Sequence, residues 1–434
     1  MQERTRHGRT TPTQLPGEPR QGRARQRAFC IAVLEQGDDL SELCELLRTA
    51  GVAVVGQEVQ HRDQPHPNTY LGPGKLEEVK ELARQADANV VACDDELSPR
   101  QERNLERELG LPVVDRTTVI LDIFAGHAHS AEGKLQVELA QLEYNLARMR
   151  GLWTHLERLG GGIGTRGPGE SQIETDRRLA RDRISALKRR LAHVKGSRQV
   201  MRAERERAGL PRIALAGYTN AGKSTLLNRL TGADVGVRDR LFHTLDPTTR
   251  VMRLDGRPYL LTDTVGFIRK LPHQLVEAFG ATLEETRIAD LVLHVVDASV
   301  DEREMPAMLA AVDEVLEEIG AGERPRLLVL NKADALDAER RAELRRLHPD
   351  AVLVSAATGD GVERLAERIE DEFARRMRTV DLLLPYAEGG RLAELHEIAG
   401  DLERTDTPEG VRVTALVPGT VAERFARFAV GSRD

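Results

Sequence analysis

Cysteine is scarce in this chain. Cys30, Cys44 and Cys93 are odd in number, widely spaced and never in a C-x-x-C pair. A disulfide framework and a zinc ribbon are therefore excluded, and three ordinary thiols in a reducing cytoplasm are expected. Aromatic residues make up only 3% of the sequence, which disfavours a surface that stacks unpaired nucleic-acid bases on rings. No run reaches the roughly 18 uninterrupted apolar residues that a membrane span requires. The first stretch carries Arg4, Arg6, Arg9, Arg20, Arg23, Arg25 and Arg27 but lacks the apolar centre of a secretory signal. Residues 1–28 read as a disordered basic extension.

What is abundant is charge. Of 434 residues, 31% are charged and 40% hydrophobic, the composition of a soluble globular protein of about three units. The net charge of −7 argues against nucleic acid, yet twelve Lys or Arg face only three acidic residues between Arg177 and Arg207. That local excess suits either a solvated helix face or a phosphate-binding one.

Apolar periodicity divides the chain further. Residues 29–126 alternate β-rich runs (Phe29 to Leu34, Val52 to Val59, Asn89 to Cys93, Leu111 to Val114) with amphipathic ones, as in a small α/β domain. The polar stretch from His61 to Lys75 is longer than such a domain needs between strand and helix, which marks a functional loop. Over residues 127–209, one narrow apolar seam runs through Leu135, Leu139, Leu142, Leu146, Met149, Trp153 and Leu156. Another runs through Ile173, Ala180, Ile184, Leu187, Leu191 and Val194. Separated by the glycine-rich turn at Gly160 to Gly169, the two predict an antiparallel helical hairpin, with Gly196 interrupting its second arm. Residues 210–378 alternate strand and helix as in a doubly wound sheet, and 379–434 read as a small α+β unit.

The chemistry concentrates in 210–378. Gly217-Tyr218-Thr219-Asn220-Ala221-Gly222-Lys223-Ser224 follows the apolar strand Ile213 to Ala216 and opens a helix through Thr225, the setting that makes a P-loop credible. Glycines let backbone N–H groups converge on phosphates, Lys223 neutralises their charge, and Ser224 offers an oxygen to Mg²⁺. Asp263-Thr264-Val265-Gly266 ends another apolar strand, bringing a carboxylate near Mg²⁺ and the Gly266 N–H near a γ-phosphate. Asn331-Lys332-Ala333-Asp334 ends a third; Asp334 can accept from the N1–H and exocyclic amine of guanine, which adenine does not offer together. Ser355-Ala356-Ala357 can place a backbone N–H on the guanine carbonyl.

In this order, each at a strand end, these elements resemble the GTPase superfamily. Leu241-Phe242-His243-Thr244-Leu245-Asp246-Pro247 is similar to the switch I of its Obg and HflX branch. The resemblance implies that Thr244 completes Mg²⁺ coordination, with Thr248 and Thr249 as alternatives, so the metal set is Ser224, Thr244 and Asp263. Lys223, Thr244 and Gly266 are the catalytic candidates. Phe267 stands where many signalling GTPases carry a water-positioning Gln; slow intrinsic hydrolysis, accelerated by a partner, is therefore expected. Asn220 resembles the Asn that coordinates K⁺ in some such GTPases, and shaping the loop is its other possible role.

Gly72-Pro73-Gly74-Lys75, the string Gly160 to Glu170 and Glu174-Thr175-Asp176-Arg177-Arg178 join these motifs in resembling the HflX family from about residue 29 to 430. The resemblance implies a cytoplasmic, monomeric GTPase that binds the large ribosomal subunit through rRNA and promotes ribosome dissociation. Its contacts would be the loop at Gly72 to Lys75 and the basic hairpin, with Arg177, Arg178, Arg181, Lys188, Arg189 and Arg190 as candidates. A GTP-dependent RNA- or protein-binding module with little turnover is the alternative. Gly162 to Gly167 satisfies G-x-G-x-x-G, but it follows a helical seam rather than a strand, which disfavours a dinucleotide site. His61, His66, His127 and His129 lack the companions of a metal site.

Overall fold

Three sheets organise the chain in the computed structural model, which describes residues 26–35, 39–149, 168–208, 210–233, 241–242, 247–272, 275, 280–375, 377–399 and 402–430. Residues 1–25, the seam positions Trp153 and Leu156, most of the glycine-rich turn, and residues 243–246 lie outside that set.

The first sheet is parallel, in the order β2-β1-β3-β4, with β1 (Arg27–Leu34), β2 (Ala53–His61), β3 (Val90–Cys93) and β4 (Val113–Asp115). β1 is buried almost end to end, as a central parallel strand covered on both faces should be. Helices α1 (Ser41–Thr49), α2 (Pro73–Gln85) and α3 (Pro99–Leu109) complete the unit. Ser98 and Gln101 form a reciprocal capping box at the start of α3, satisfying two backbone donors that the helix leaves over.

Two expectations change here. Arg27 belongs to β1, where its Nε donates to Asp87 O at 2.7 Å. The stretch Gly72 to Lys75 is the first turn of α2 rather than a loop: Pro73 takes a starting position that needs no N–H. Lys75 is paired with Glu58 at 2.7 Å and Glu78 at 2.9 Å. Residues 61–65 form the exposed part of the preceding segment.

After α4 (Arg116–His127), helices α5 (Ala131–Met149) and α6 (Pro168–Ala208) form the hairpin. Leu135 and Leu139 pack on Ile184, Leu187 and Leu191, with Leu142 and Leu146 beside them. Cross-hairpin pairs Arg183–Glu138 at 2.6 Å and Lys188–Glu143 at 2.8 Å flank this seam. α6 passes Gly196 without a break. One glycine costs a helix only about 1 kcal/mol, too little to end one otherwise supported.

The central sheet has the order β10-β9-β8-β5-β7-β6. It contains β5 (Arg212–Gly217), β6 (Thr248–Leu254), β7 (Arg257–Asp263), β8 (Leu291–Asp297), β9 (Arg326–Asn331) and β10 (Val352–Leu353). Only β6 runs antiparallel to its neighbour. The chain leaves β5 toward both sides, so a switch point opens at its carboxyl end, where open α/β sheets bind ligands. α7 (Lys223–Thr231) starts there.

The last unit is an antiparallel sheet β11-β13-β12 of β11 (Met377–Leu384), β12 (Leu402–Thr407) and β13 (Gly410–Pro418), with helices at Gly389–Ala399 and Gly419–Phe425. Strand β12 has no sequence signal: Leu-Glu-Arg-Thr-Asp-Thr is an exposed edge whose pairing comes from β13.

Side chains of the first unit, the hairpin and the central unit share one core. Cys30, Leu43, Phe124 and Tyr144 belong to the same cluster as Tyr218, Phe242, Phe267 and Val292. No helix among the described residues is long and apolar enough to cross a membrane.

Candidate nucleotide site

The P-loop connects β5 to α7, and its glycines answer to sterics. At Gly222, φ is +87° and an added Cβ would lie 2.3 Å from the Asn331 amide; a Cβ at Gly266 would lie 2.7 Å from Thr219 Cα and 3.0 Å from Lys223 Nζ. Both places require the residue without a side chain. Asn220 also adopts a left-handed φ of 61°. Lys223 is buried, and its Nζ donates to Gly217 O at 3.0 Å and Tyr218 O at 2.8 Å. Burial pushes this ammonium down to about 8, against the opposing pull of Asp263. A phosphate arriving at the loop would meet a cation that is ready to turn toward it.

Ser224 Oγ donates to Asp263 Oδ2 at 2.5 Å. Two hard oxygens converge there, the donor chemistry that suits Mg²⁺. Thr264, fully buried, donates from Oγ1 to Leu215 O at 2.7 Å and fixes the end of β7 against β5. Val265 is buried next to it. Phe267 N–H donates to Gly217 O at 3.1 Å while Thr219 N–H donates to Phe267 O at 2.7 Å. The Phe267 ring is thereby turned fully into the core, and this position presents no side chain that could hold a water.

Residues 243–246, including Thr244, lie outside the described set. Phe242 immediately before them is anchored: its N–H donates to Thr219 Oγ1 at 2.9 Å, and its ring meets Phe124 edge-on at 4.6 Å between centroids. Thr248 and Thr249 lie in β6, paired with Asp263 and Thr262, and the Thr249 hydroxyl is 3.0 Å from that of Thr262.

The residues expected on the base side also converge. Asn331 Nδ2 donates to Ala221 O at 2.8 Å, and its Oδ1 accepts from Ala356 N at 3.0 Å, so one side chain ties the P-loop to the loop after β10. Lys332 pairs with Asp297 at 2.7 Å. Asp334 is exposed and accepts from Ser355 Oγ at 2.5 Å, which orients its carboxylate. Ala357 follows in the same loop.

Sequence reasoning did not find the attachments of this site to the first unit. Tyr218 Oη donates to Glu42 at 2.5 Å and accepts from Arg269 N at 2.7 Å. Glu42 also binds Arg269 Nε at 3.1 Å and pairs with Arg116. Arg116 is 2% exposed, pairs with Asp94 at 2.7 Å and donates to Arg269 O at 3.0 Å. Separations of 22 to 227 residues leave no local pattern from which these contacts could be read.

Three family models match in succession: "GTP-binding GTPase N-terminal" over residues 37–125, "GTP-binding GTPase Middle Region" over 127–205 and "50S ribosome-binding GTPase" over 212–332. The chain is 48% identical over 412 residues to a GTPase HflX of Lacrimispora saccharolytica, covering 93% of this chain and 96% of that protein. It is likewise 48% identical over 364 residues to GTPase HflX of Escherichia coli, covering 83% and 85%. Among solved structures, a GTP-binding protein from Sulfolobus solfataricus in complex with GDP aligns at 28% identity and a TM-score of 0.41, over 80% of this chain and 98% of that one.

Proposed function

Because the chain belongs to the HflX family of GTPases, we propose that this GTP-hydrolysing enzyme is a switch that binds the large ribosomal subunit and promotes dissociation of ribosomes into subunits. The observation that carries the reading is the attachment of Tyr218 and Arg269 to Glu42 and Arg116. The P-loop and the segment after Gly266 are thereby gripped by the first unit. A rearrangement at Gly266 on GTP binding reaches the first sheet through ion pairs and shared core, a rigid linkage.

In this reading the parts are a basic extension that stops short of Arg27, an α/β domain that begins with β1 at Arg27 and runs to 126, a hairpin (127–209), the GTPase domain (210–378) and a C-terminal α+β domain (379–434). Residues 217–225 cradle the phosphates, Lys223 balances their charge, and Gly266 N–H meets the γ-phosphate. Ser224, Asp263 and Thr244 would hold Mg²⁺, which supplies charge neutralisation between phosphates. Asp334 reads guanine, with Asn331 and Lys332 bracing it. The burial of Phe267 supports slow hydrolysis until a partner completes the site. K⁺ beside Asn220 is a further element, and equal rates in K⁺ and Na⁺ would remove it.

rRNA contact is supported by the exposed Arg178, Arg181, Arg189 and Arg190 of α6 and by the exposed residues 61–65. Lys188 serves the hairpin instead, and Lys75 fastens α2 to β2. The test is sucrose-gradient sedimentation of intact ribosomes with the protein and GTP, GDP or a nonhydrolysable analogue. Splitting in the GTP-bound states is expected, and unchanged profiles in all three would remove the claim. GTP-dependent binding without splitting would point to an assembly or stress factor. Reversing the four arginines should weaken binding and reduce its salt slope by about one for each phosphate they neutralise.

A further inference from the structure

Helix α7 starts at the P-loop, and Arg229 in its last turn reaches the loop that follows β10. Its Nε donates to Ala356 O at 3.0 Å, and a terminal nitrogen donates to Ala357 O. The guanidinium also lies beside Gly359, where an added Cβ would meet it at 3.7 Å. Two consecutive carbonyls are thus drawn toward α7 by one planar cation, whose fork suits a pair of acceptors as an ammonium does not.

The consequence follows from peptide geometry. No cis bond is present among the described residues, and in a trans peptide the C=O and the next N–H point in opposite directions. Drawing the Ala356 carbonyl toward Arg229 turns the Ala357 N–H away from α7. Drawing in the Ala357 carbonyl does the same for Thr358 N–H, which donates to Ser355 Oγ at 3.1 Å. Ser355 Oγ in turn donates to Asp334, and Ala356 N–H is taken by Asn331. Among the described residues, Ala357 N–H meets no protein acceptor. It is the donor left over in a loop whose neighbouring N–H groups are committed.

We propose that Arg229 is a positioning residue for guanine recognition, fixing two peptide planes so that the Ala357 N–H is presented to the 6-oxo group of the base. The proposal rests on the reading that Asp334 and the Ser355 to Ala357 loop face guanine. Arg229 touches the base only through the loop it orients.

The test compares GDP with 6-thioguanosine diphosphate by calorimetry on the full chain. The thio compound keeps the N1–H and the exocyclic amine but offers a weakly accepting sulfur in place of the oxygen. The wild type should prefer GDP by about tenfold, and Arg229→Ala should lose about tenfold in GDP affinity while binding the two ligands alike. Arg229→Lys, able to hold one carbonyl, should fall between. Equal weakening of both ligands would show a merely structural role and overturn the proposal, as would a wild-type ratio in Arg229→Ala. Asp334→Asn tests the underlying reading separately. It should exchange guanosine for xanthosine diphosphate preference, and failure to do so would remove the base site and the proposal with it.

Discussion

The Tyr218 hydroxyl donates to the Glu42 carboxylate at 2.5 Å across 176 residues of sequence, joining the second residue of the P-loop to the first turn of α1. Glu42 is the acceptor shared by Tyr218, Arg116 and Arg269. Removing it would leave the buried Arg116 with Asp94 as its one remaining carboxylate partner among the described residues. Glu42→Ala should therefore destabilise the fold by about 2 kcal/mol, because the buried Arg116 loses one of its two charged hydrogen-bond partners and keeps the other. A cycle of Glu42→Gln and Tyr218→Phe should give a coupling of about 1 kcal/mol in urea denaturation. Strict additivity would mean that the hydrogen bond carries no energy.

Phe124 and Phe242 are both buried and meet edge-on. Phe124→Ala should cost about 3 to 5 kcal/mol and Phe124→Leu much less, since the former opens a cavity. The sharper readout is nucleotide release. Phe242 N–H is bonded to Thr219, so Phe124→Leu should speed dissociation of a fluorescent GDP severalfold, although Phe124 lies outside the P-loop. An unchanged release rate in stopped flow would dissociate the two elements.

Burial lowers Lys223 to about 8, against the pull of Asp263. Phosphates raise the proton affinity of a neighbouring ammonium, so binding should be coupled to proton uptake above that value. At pH 7, GDP binding should take up almost no proton at this group; at pH 9 it should approach one. Affinity should then fall by up to about tenfold per pH unit above 8. Calorimetry in buffers of different ionisation enthalpy measures the uptake, and Lys223→Met supplies the background to subtract.

His294 lies in β8, buried, and desolvation takes it down to about 4 from its ordinary 6.5. Between these values the unfolded chain binds a proton that the folded chain refuses. Stability from this source is therefore full above pH 6.5 and is lost as pH falls toward 4. The loss is about 2 kcal/mol at pH 5, at about 1.4 kcal/mol per unit. His294→Leu should lose correspondingly less stability between pH 7 and pH 5 in chemical denaturation; a parallel decline in both proteins would refute the assignment.

The parts of this protein that are legible in its sequence are those set by neighbours along the chain. The P-loop, Asp263 to Gly266, Asn331 to Asp334 and Ser355 to Ala357 each follow a continuous apolar strand, and strand-end position is what local pattern encodes. The hairpin seam is legible because Leu135 and Leu139 on one arm, and Ile184, Leu187 and Leu191 on the other, recur at helical spacing. Strand β12 is not, since its exposed residues need no apolar alternation when β13 supplies the pairing. The role of Lys75 in fastening α2 to β2 is not legible, because Glu58 sits on a different element. The grip of Glu42 on Tyr218, and of Arg229 on Ala356, joins segments distant in sequence, and neither composition nor spacing announces such pairs.

Helix α6 is also the longest rod among the described helices. Its 41 residues extend about 60 Å at 1.5 Å per residue, and it ends only four positions before β5. Tilting such a rod by about 5° at the β5 end sweeps its far tip through about 5 Å. A rotation that barely moves one end of the helix is, at the other end, a displacement on the scale of a helical turn.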